Sequence, residues 1–174
     1  NSLFINKNTM ESQITSLTED CLEQTLQEGI QQINLQGGYY GIPNKNLVHV
    51  SLLKEANQNL TSFYSNSIIT IPNQAKVKSG LSNYLEDNID NCLNFSEFEN
   101  APTTISKTNL KSVTSIIKEN QIKAIMDYPI EINRENKRTI IREFSSQVVS
   151  NIDKFLEVSG EIVNIHRDDP RVFC

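Results

Sequence analysis

The chain of 174 residues is long enough for one domain with its own core, and its net charge of −5 makes it acidic overall. Basic residues concentrate between positions 105 and 142, where Tyr128 is the one aromatic side chain. Nucleic acid is therefore excluded as a predicted partner, because basic surfaces that bind it also carry stacking aromatics. No apolar run reaches the length of about 18 residues that a membrane-spanning helix needs.

Residues 8–36 are predicted to form a long amphipathic helix. Asn8 precedes Glu11 by three positions, which is the spacing of a capping box, and apolar residues then recur at helical intervals. Gly37 and Gly38 end the pattern, because glycine adopts the positive φ of a helix terminus without a steric penalty. The helix carries only acidic charges, namely Glu11, Glu19, Asp20, Glu23 and Glu28.

The middle of the chain predicts two extended segments and a second helix. The segments cover residues 47–53 and 60–71, and the polar run Asn57–Asn59 between them is predicted to be a hairpin turn. Residues 73–93 follow with an apolar face at helical spacing that ends at Cys92. Residues 94–108 contain Pro102 and little periodicity, which predicts a loop.

The last third of the chain predicts an antiparallel meander and a third helix. Residues 113–117, 122–132 and 139–149 are predicted strands joined by short turns. Ser150, with Asp153 three residues on, is predicted to cap a final helix whose face runs to His166. The expected fold is α+β: an antiparallel sheet with a three-strand meander, packed by a long N-terminal helix, a middle helix and a C-terminal helix.

No catalytic, cofactor or metal site is predicted. A thiol enzyme needs a histidine beside its cysteine, and neither His49 nor His166 lies in a recognisable motif. No two Cys or His residues stand at the spacing of metal ligands, and no phosphate-binding Gly-Lys-Ser/Thr follows Gly37 and Gly38. Tyr39 and Tyr40 after these glycines are predicted either to pack or to make a surface contact as an interaction turn.

The three cysteines and two glycosylation sequons bear on the compartment. Cys21 and Cys92 lie on apolar faces of two helices, where they could form a disulfide or remain reduced core residues. Cys174 is the last residue, so its partner would lie in another segment or chain. The sequons begin at Asn59 and Asn94 and favour, together with a possible disulfide, an extracellular location.

Several motifs resemble a group of archaeal cell-envelope proteins that an N-terminal pilin-like segment anchors in the membrane. These motifs are Cys21-Leu22-Glu23, Leu35-Gln36-Gly37-Gly38-Tyr39, Asn91-Cys92-Leu93, Asp127-Tyr128-Pro129 and Asp169-Pro170-Arg171. The resemblance implies an outward-facing ectodomain in which Cys21 pairs with Cys92. It also implies that residues 1–174 are a single extracytoplasmic domain truncated at both ends. The group has no established activity, so the resemblance implies no catalytic residue.

Three functions follow as hypotheses. The first is a non-enzymatic extracytoplasmic domain of a membrane-anchored archaeal envelope protein with a structural or adhesive role. The second is a pilin-like filament subunit, in which the acidic first helix would meet the basic meander of a neighbour. The third is a small-molecule binding module. The expected partners are other copies of the chain, other envelope proteins and, through a segment not present here, the membrane.

Overall fold

The structure, a computed structural model, describes residues 9–43, 47–51, 57–61, 64–65, 68–100, 102–109, 111–169 and 171. Its helices are α1 (Met10–Leu35), α2 (Gln74–Cys92) and α3 (Ile152–Asp168). Its strands are β1 (Leu47–Ser51), β2 (Asn57–Thr61), β3 (Tyr64–Ser65), β4 (Ile68–Ile69), β5 (Thr103–Lys107), β6 (Ser112–Lys118), β7 (Gln121–Arg134) and β8 (Lys137–Val149). The α+β prediction is confirmed.

The main sheet is built around β7. Strand β8 pairs antiparallel with β7 over nearly its whole length, while β6 and β5 share the other side of β7. The predicted meander is therefore confirmed as β6, β7 and β8. The loop prediction for residues 94–108 is wrong, because it contains β5. Strand β5 has five residues of which only Thr103 is buried, so it shows no clean alternation, and it owes its order to pairing with β7.

Pro129 lies within the central strand without costing a ladder hydrogen bond. The register of β7 against β8 shifts between Asp127 and Ile130, which forms a bulge at the proline. On the other side of β7, pairing with β6 ends at Asp127 and pairing with β5 begins at Ile130. Proline has no N–H to donate, so it is tolerated where the ladder is interrupted, and its carbonyl accepts a hydrogen bond from the Thr108 amide (3.3 Å).

Helices α1 and α2 cover one face of this sheet, α1 along β8 and α2 along β6. Side chains alternate in and out along β7, so every second residue joins the core. Burying apolar surface in this way stabilises the fold by roughly 25 cal/mol per Å². Among the fully buried side chains are Ile14, Leu22, Leu26, Ile33, Leu81, Leu85, Ile89, Ile122, Met126, Tyr128, Ile130 and Phe144.

Side chains of both helices also accept hydrogen bonds from backbone amides at the sheet edges. On β6, the Val113 amide donates to Glu86 Oε1 (2.8 Å), and on β8 the Ser145 amide donates to Glu19 Oε1 (3.3 Å). Unpaired edge amides invite pairing with another chain, so these helix carboxylates protect the sheet at those positions. Glu19 is one of the acidic residues on α1, and this contact gives it a structural role.

Other predicted local features need correction. Asn57, Gln58 and Asn59 lie in β2, paired with β1, and do not form a turn; residues 52–56 between the strands lie outside the described part. The predicted strand 60–71 is wrong as one continuous strand, because β3 and β4 within it pair antiparallel with each other; residues 62–63 and 66–67 lie outside the described part. Such pairing is a contact between segments, which a local pattern does not record.

The helix caps also differ from prediction. Thr9, in extended conformation, caps α1 by accepting a hydrogen bond from the Ser12 amide (3.3 Å), whereas the predicted cap Asn8 lies outside the described residues. Ser150 does not cap α3. Its amide instead donates to the Asn120 carbonyl (2.9 Å), and Asn151 stands at the N-cap without a side-chain hydrogen bond.

Candidate functional site: the seam between α1 and α2

Cys21 and Cys92 form a disulfide between α1 and α2, with their Cα atoms 5.7 Å apart. The pairing that the resemblance implied is thus confirmed. The bond joins residues separated by 71 positions, and Cys21 is 4% exposed, so the bond lies at the edge of the core. Cys174 lies outside the described residues.

The two helices run antiparallel and approach closely beyond the disulfide. We call this contact the interhelix seam; it comprises Cys21, Gly29, Gly80, Tyr84 and Cys92. A Cβ atom added to Gly29 would lie 2.7 Å from Tyr84 Cδ1, and one added to Gly80 would lie 3.1 Å from the Cβ of Tyr40. Such distances leave no room for a methyl group at Gly29, so the small residue permits the approach.

The turn after α1 closes the other end of the seam. Gly37 and Gly38 have φ values of 64° and 90°, and the Gly38 amide donates to the Ile33 carbonyl (2.8 Å). A side chain at Gly38 would also collide with Pro72, since an added Cβ would lie 2.5 Å from Pro72 Cγ. These contacts fix the path of the chain from α1 toward α2.

Both tyrosines of the predicted interaction turn make contacts within the chain. Tyr39 is buried and its hydroxyl donates to the Thr70 carbonyl. The Tyr40 ring stands edge-on to Tyr84 with centroids 5.5 Å apart, and its hydroxyl donates to Asp87 Oδ2 (2.8 Å). That hydrogen bond, with burial, raises the pKa of Tyr40. Of the two readings that the sequence allowed, these contacts match packing within the domain.

A second polar cluster, the Asp90 cluster, comprises Asp90, Lys107, Lys111 and Tyr128. Asp90 accepts hydrogen bonds from Lys107 (3.1 Å), from Lys111 and from the Tyr128 hydroxyl (2.7 Å). Burial acts to raise the pKa of Asp90, but the hydrogen bonds from these three partners outweigh it and lower that pKa to about 2. Burial, followed by the hydrogen bond to Asp90, raises the pKa of Tyr128. The cluster binds α2 to the connection between β5 and β6.

The sequence does not predict this cluster. Lys107 falls in the predicted loop 94–108, and sequence separations of 17 to 38 residues between Asp90 and its partners leave no local spacing to detect. The available signal was a tyrosine at an inward position of an alternating strand, because a buried hydroxyl requires a hydrogen-bond partner.

The two sequons lie in different settings. Asn94 is exposed in the loop after α2, and its Oδ1 accepts a hydrogen bond from the Ser96 amide (3.0 Å). Asn59 lies in β2 opposite His49. Of the two, Asn94 has the setting in which a glycan is accommodated without disturbing a sheet ladder.

Two hollows at the surface beside α1 are polar or mixed in character. One of about 370 Å³ lies between α1 and the sheet and is lined by Glu19, Asp20, Glu23 and Lys123, among others. Another of about 390 Å³ lies between the start of α1 and the β7–β8 turn, with Arg134, Glu135 and Lys137 in its wall. Within the described ranges, no group of three or more His, Cys, Asp or Glu residues is arranged to hold a metal ion.

The fold and the seam together define a disulfide-bonded α+β domain. In the part of the chain that the structure describes, no helix has the length and apolarity to cross a membrane. Comparisons with protein-family models, with curated proteins and with solved structures find no match to this chain.

Proposed function

We propose that this chain is a non-enzymatic extracytoplasmic domain of a membrane-anchored archaeal envelope protein, with a structural or adhesive role. The observation that carries the proposal is the disulfide between Cys21 and Cys92. Disulfides persist in oxidising compartments and are rare in reducing ones, so the bond is compatible with an extracellular location. The archaeal assignment and the membrane anchor rest on the motif resemblance.

The position of the bond adds to this argument. The cysteines stand on facing helices at the edge of the core, where the bond joins the first third of the chain to its middle. In the chain-entropy account, a cross-link over about 70 residues stabilises the fold by about 4 kcal/mol, which is a benefit to a domain exposed to the medium. The exposed sequon at Asn94 is consistent with the same setting.

The filament alternative draws on the acidic α1 and the basic meander. Acidic residues of α1 and Lys123 of the meander line the same hollow, so these opposite charges already lie near one another within one chain. This placement leaves less unmatched charge for a neighbouring copy to contact.

The small-molecule alternative requires a different kind of cavity. Ligand sites are mostly apolar and enclose most of their ligand, with a few polar groups that orient it. The two hollows beside α1 carry charged walls, with Glu19 and Lys123 in one and Arg134 and Lys137 in the other. They lend the binding-module hypothesis no support.

The proposal is tested by thiol mapping and surface accessibility in native cells. Cells are treated with an alkylating reagent without reductant, and the chain is isolated and analysed by mass spectrometry. We expect Cys21 and Cys92 to be unmodified until a reductant is added. Protease treatment of intact cells should release peptides of this chain. Free thiols at both positions, or complete resistance to protease that is lost on lysis, would contradict the proposal.

A further inference from the structure

Helix α3 presents an apolar stripe to solvent. Phe155, Val158, Ile162 and Ile165 are 43%, 47%, 46% and 48% exposed, and we call these four residues the α3 stripe. Their spacings of three, four and three residues place them on one side of the helix. The inward side of α3 is separate from the stripe, with Ile152 and Val163 buried. Apolar side chains grouped on one solvent-exposed face of a helix are a feature of contact surfaces.

The α3 stripe has the spacing of a helix–helix seam and is symmetric about residue 160. Read in opposite directions, Phe155 of one helix lies level with Ile165 of the other, and Val158 lies level with Ile162. The three-four spacing is that of the a and d positions of a coiled coil. A two-fold axis near residue 160 therefore brings each apolar side chain of one copy against an apolar side chain of another.

The charges beside the α3 stripe fit the same arrangement. Charged residues occur at intervals of seven positions, namely Lys154, Glu161 and Asp168, so all three lie along one flank of α3. In an antiparallel pair this flank faces itself, which sets Lys154 opposite Asp168 of the other copy and the two Glu161 side chains near the axis. Asp168 also accepts a hydrogen bond from Arg167 Nε of its own chain (2.9 Å), so attraction in the outer pairs adds to that contact, while the two central Glu161 side chains repel each other.

We propose that the α3 stripe is a self-association surface, on which α3 of a second copy packs antiparallel about a two-fold axis at residue 160. The occupant is identified by the symmetry of the stripe and by the charge pairing of Lys154 with Asp168. Four apolar side chains from each copy form a small interface, so the dimer belongs to the weak, transient class. This inference does not depend on the compartment, and the purified chain suffices to test it.

The first experiment measures self-association of the oxidised full-length chain by sedimentation equilibrium over a range of concentrations. We expect a reversible dimer. Ile162→Asp should weaken it about tenfold or more, because it places a charge in the apolar seam. Ile162 is half-exposed in the monomer, so the variant is expected to fold, which its thermal unfolding verifies.

Charge variants test the antiparallel register. Lys154→Glu or Asp168→Lys alone should weaken the dimer about twofold to fivefold, and the double variant should restore it. Glu161→Gln should strengthen the dimer about twofold, because it removes the repulsion at the axis. Asn164→Ala, on the opposite side of α3, is the matched control and should leave the dimer unchanged.

A cross-linking experiment tests the position of the two-fold axis. In a Cys174→Ser background, Glu161→Cys should give disulfide-linked dimers under mild oxidation, whereas Asn164→Cys should not. A chain that stays monomeric at every concentration without this cross-link would overturn the proposal. The proposal would also be overturned if a monomeric chain floated with phosphatidylglycerol vesicles and Ile162→Asp abolished this flotation, because the α3 stripe would then face lipid. Footprinting that finds the stripe protected in the monomer would assign it to another segment of this chain, which also overturns it.

Discussion

Single residues decide how closely the helices approach. Gly29 in α1 and Gly160 in α3 are both glycines inside helices, where glycine disfavours the helix by up to about 1 kcal/mol relative to alanine. A Cβ atom at Gly29 would meet the Tyr84 ring at 2.7 Å, whereas one at Gly160 would have nothing within 4 Å. Gly29 therefore serves packing at the interhelix seam, and Gly160 makes no such contribution within the chain.

These two glycines provide a matched pair of substitutions. Gly160→Ala should stabilise the domain by about 0.5–1 kcal/mol, because it gains helix propensity and meets open space. Gly29→Ala should destabilise it by about 1–2 kcal/mol, since the overpacking against Tyr84 exceeds the same gain. Urea denaturation of both variants measures the difference. A Gly29→Ala variant as stable as Gly160→Ala would contradict this expectation, because the interhelix seam would then accommodate the added methyl group without loss of stability.

At the scale of elements, the Asp90 cluster fastens α2 to the sheet. Its three partners come from β5, from the residue before β6 and from β7. Lys111 also lies with its Nζ 5.9 Å from the centre of the Tyr128 ring. The cluster therefore holds the point at which β5 and β6 meet beside Pro129, where the sheet ladder is interrupted.

Acid should weaken the attachment of α2 to the sheet through the Asp90 cluster. The pKa of Asp90 in the folded protein, about 2, lies below its ordinary value of 3.8. The ionised carboxylate therefore contributes its full stabilisation of the fold above pH 3.8, and this stabilisation is lost as the pH falls through about 2. Because the Asp90 side chain is 41% exposed, solvent screening reduces this contribution to about 1 kcal/mol. Asp90→Asn should destabilise the domain by that amount at pH 7, and the difference from wild type should shrink by pH 3.

Urea denaturation at pH 7, 5 and 3 measures this effect. Asp20→Asn, on the exposed face of α1, is the matched control for the loss of one surface carboxylate. A difference between wild type and Asp90→Asn that does not change between pH 7 and pH 3 would contradict the assigned role. A double-mutant cycle with Tyr128→Phe isolates the hydrogen bond between these two side chains.

Elements also differ in how far the sequence determines them. Helix α1 and strand β7 show long, regular periodicity, and their structures match the prediction closely. Strand β5 has five residues and one buried side chain, so it has no periodicity to read. For α3 the sequence identified a helix with an apolar face, but the structure buries Ile152 and Val163 and leaves Phe155 at the surface. Amphipathicity does not say which partner an apolar face meets.

At the scale of the whole molecule, the disulfide joins parts of the chain that are distant in sequence. It connects α1 with α2, and these helices in turn cover β8 and β6 on opposite sides of β7. The bond thus constrains the two helices that cover the β8 half and the β6 half of the same sheet face. In the unfolded chain it closes a long loop and lowers the conformational entropy.

Reduction should therefore lower the stability of the entire domain in one cooperative transition. The expected loss in the free energy of unfolding is about 4 kcal/mol, a large fraction of the 5–15 kcal/mol typical of a domain. Thermal unfolding with and without reductant measures it, and the Cys21→Ala/Cys92→Ala variant controls for effects of the reductant elsewhere. A reduced protein with an unchanged unfolding midpoint would contradict the structural role of this bond.

The sequence by itself determined the helical and extended character of the long segments and the placement of Cys21 and Cys92 on apolar faces. These properties are recorded locally, because side chains repeat at the period of the helix or strand that they form. Only the tertiary structure decided the pairing of β5 with β7, the partners of Asp90 and Tyr128, and the exposure of the α3 stripe. Each depends on contacts between residues far apart in the chain, and a local pattern carries no information about such partners.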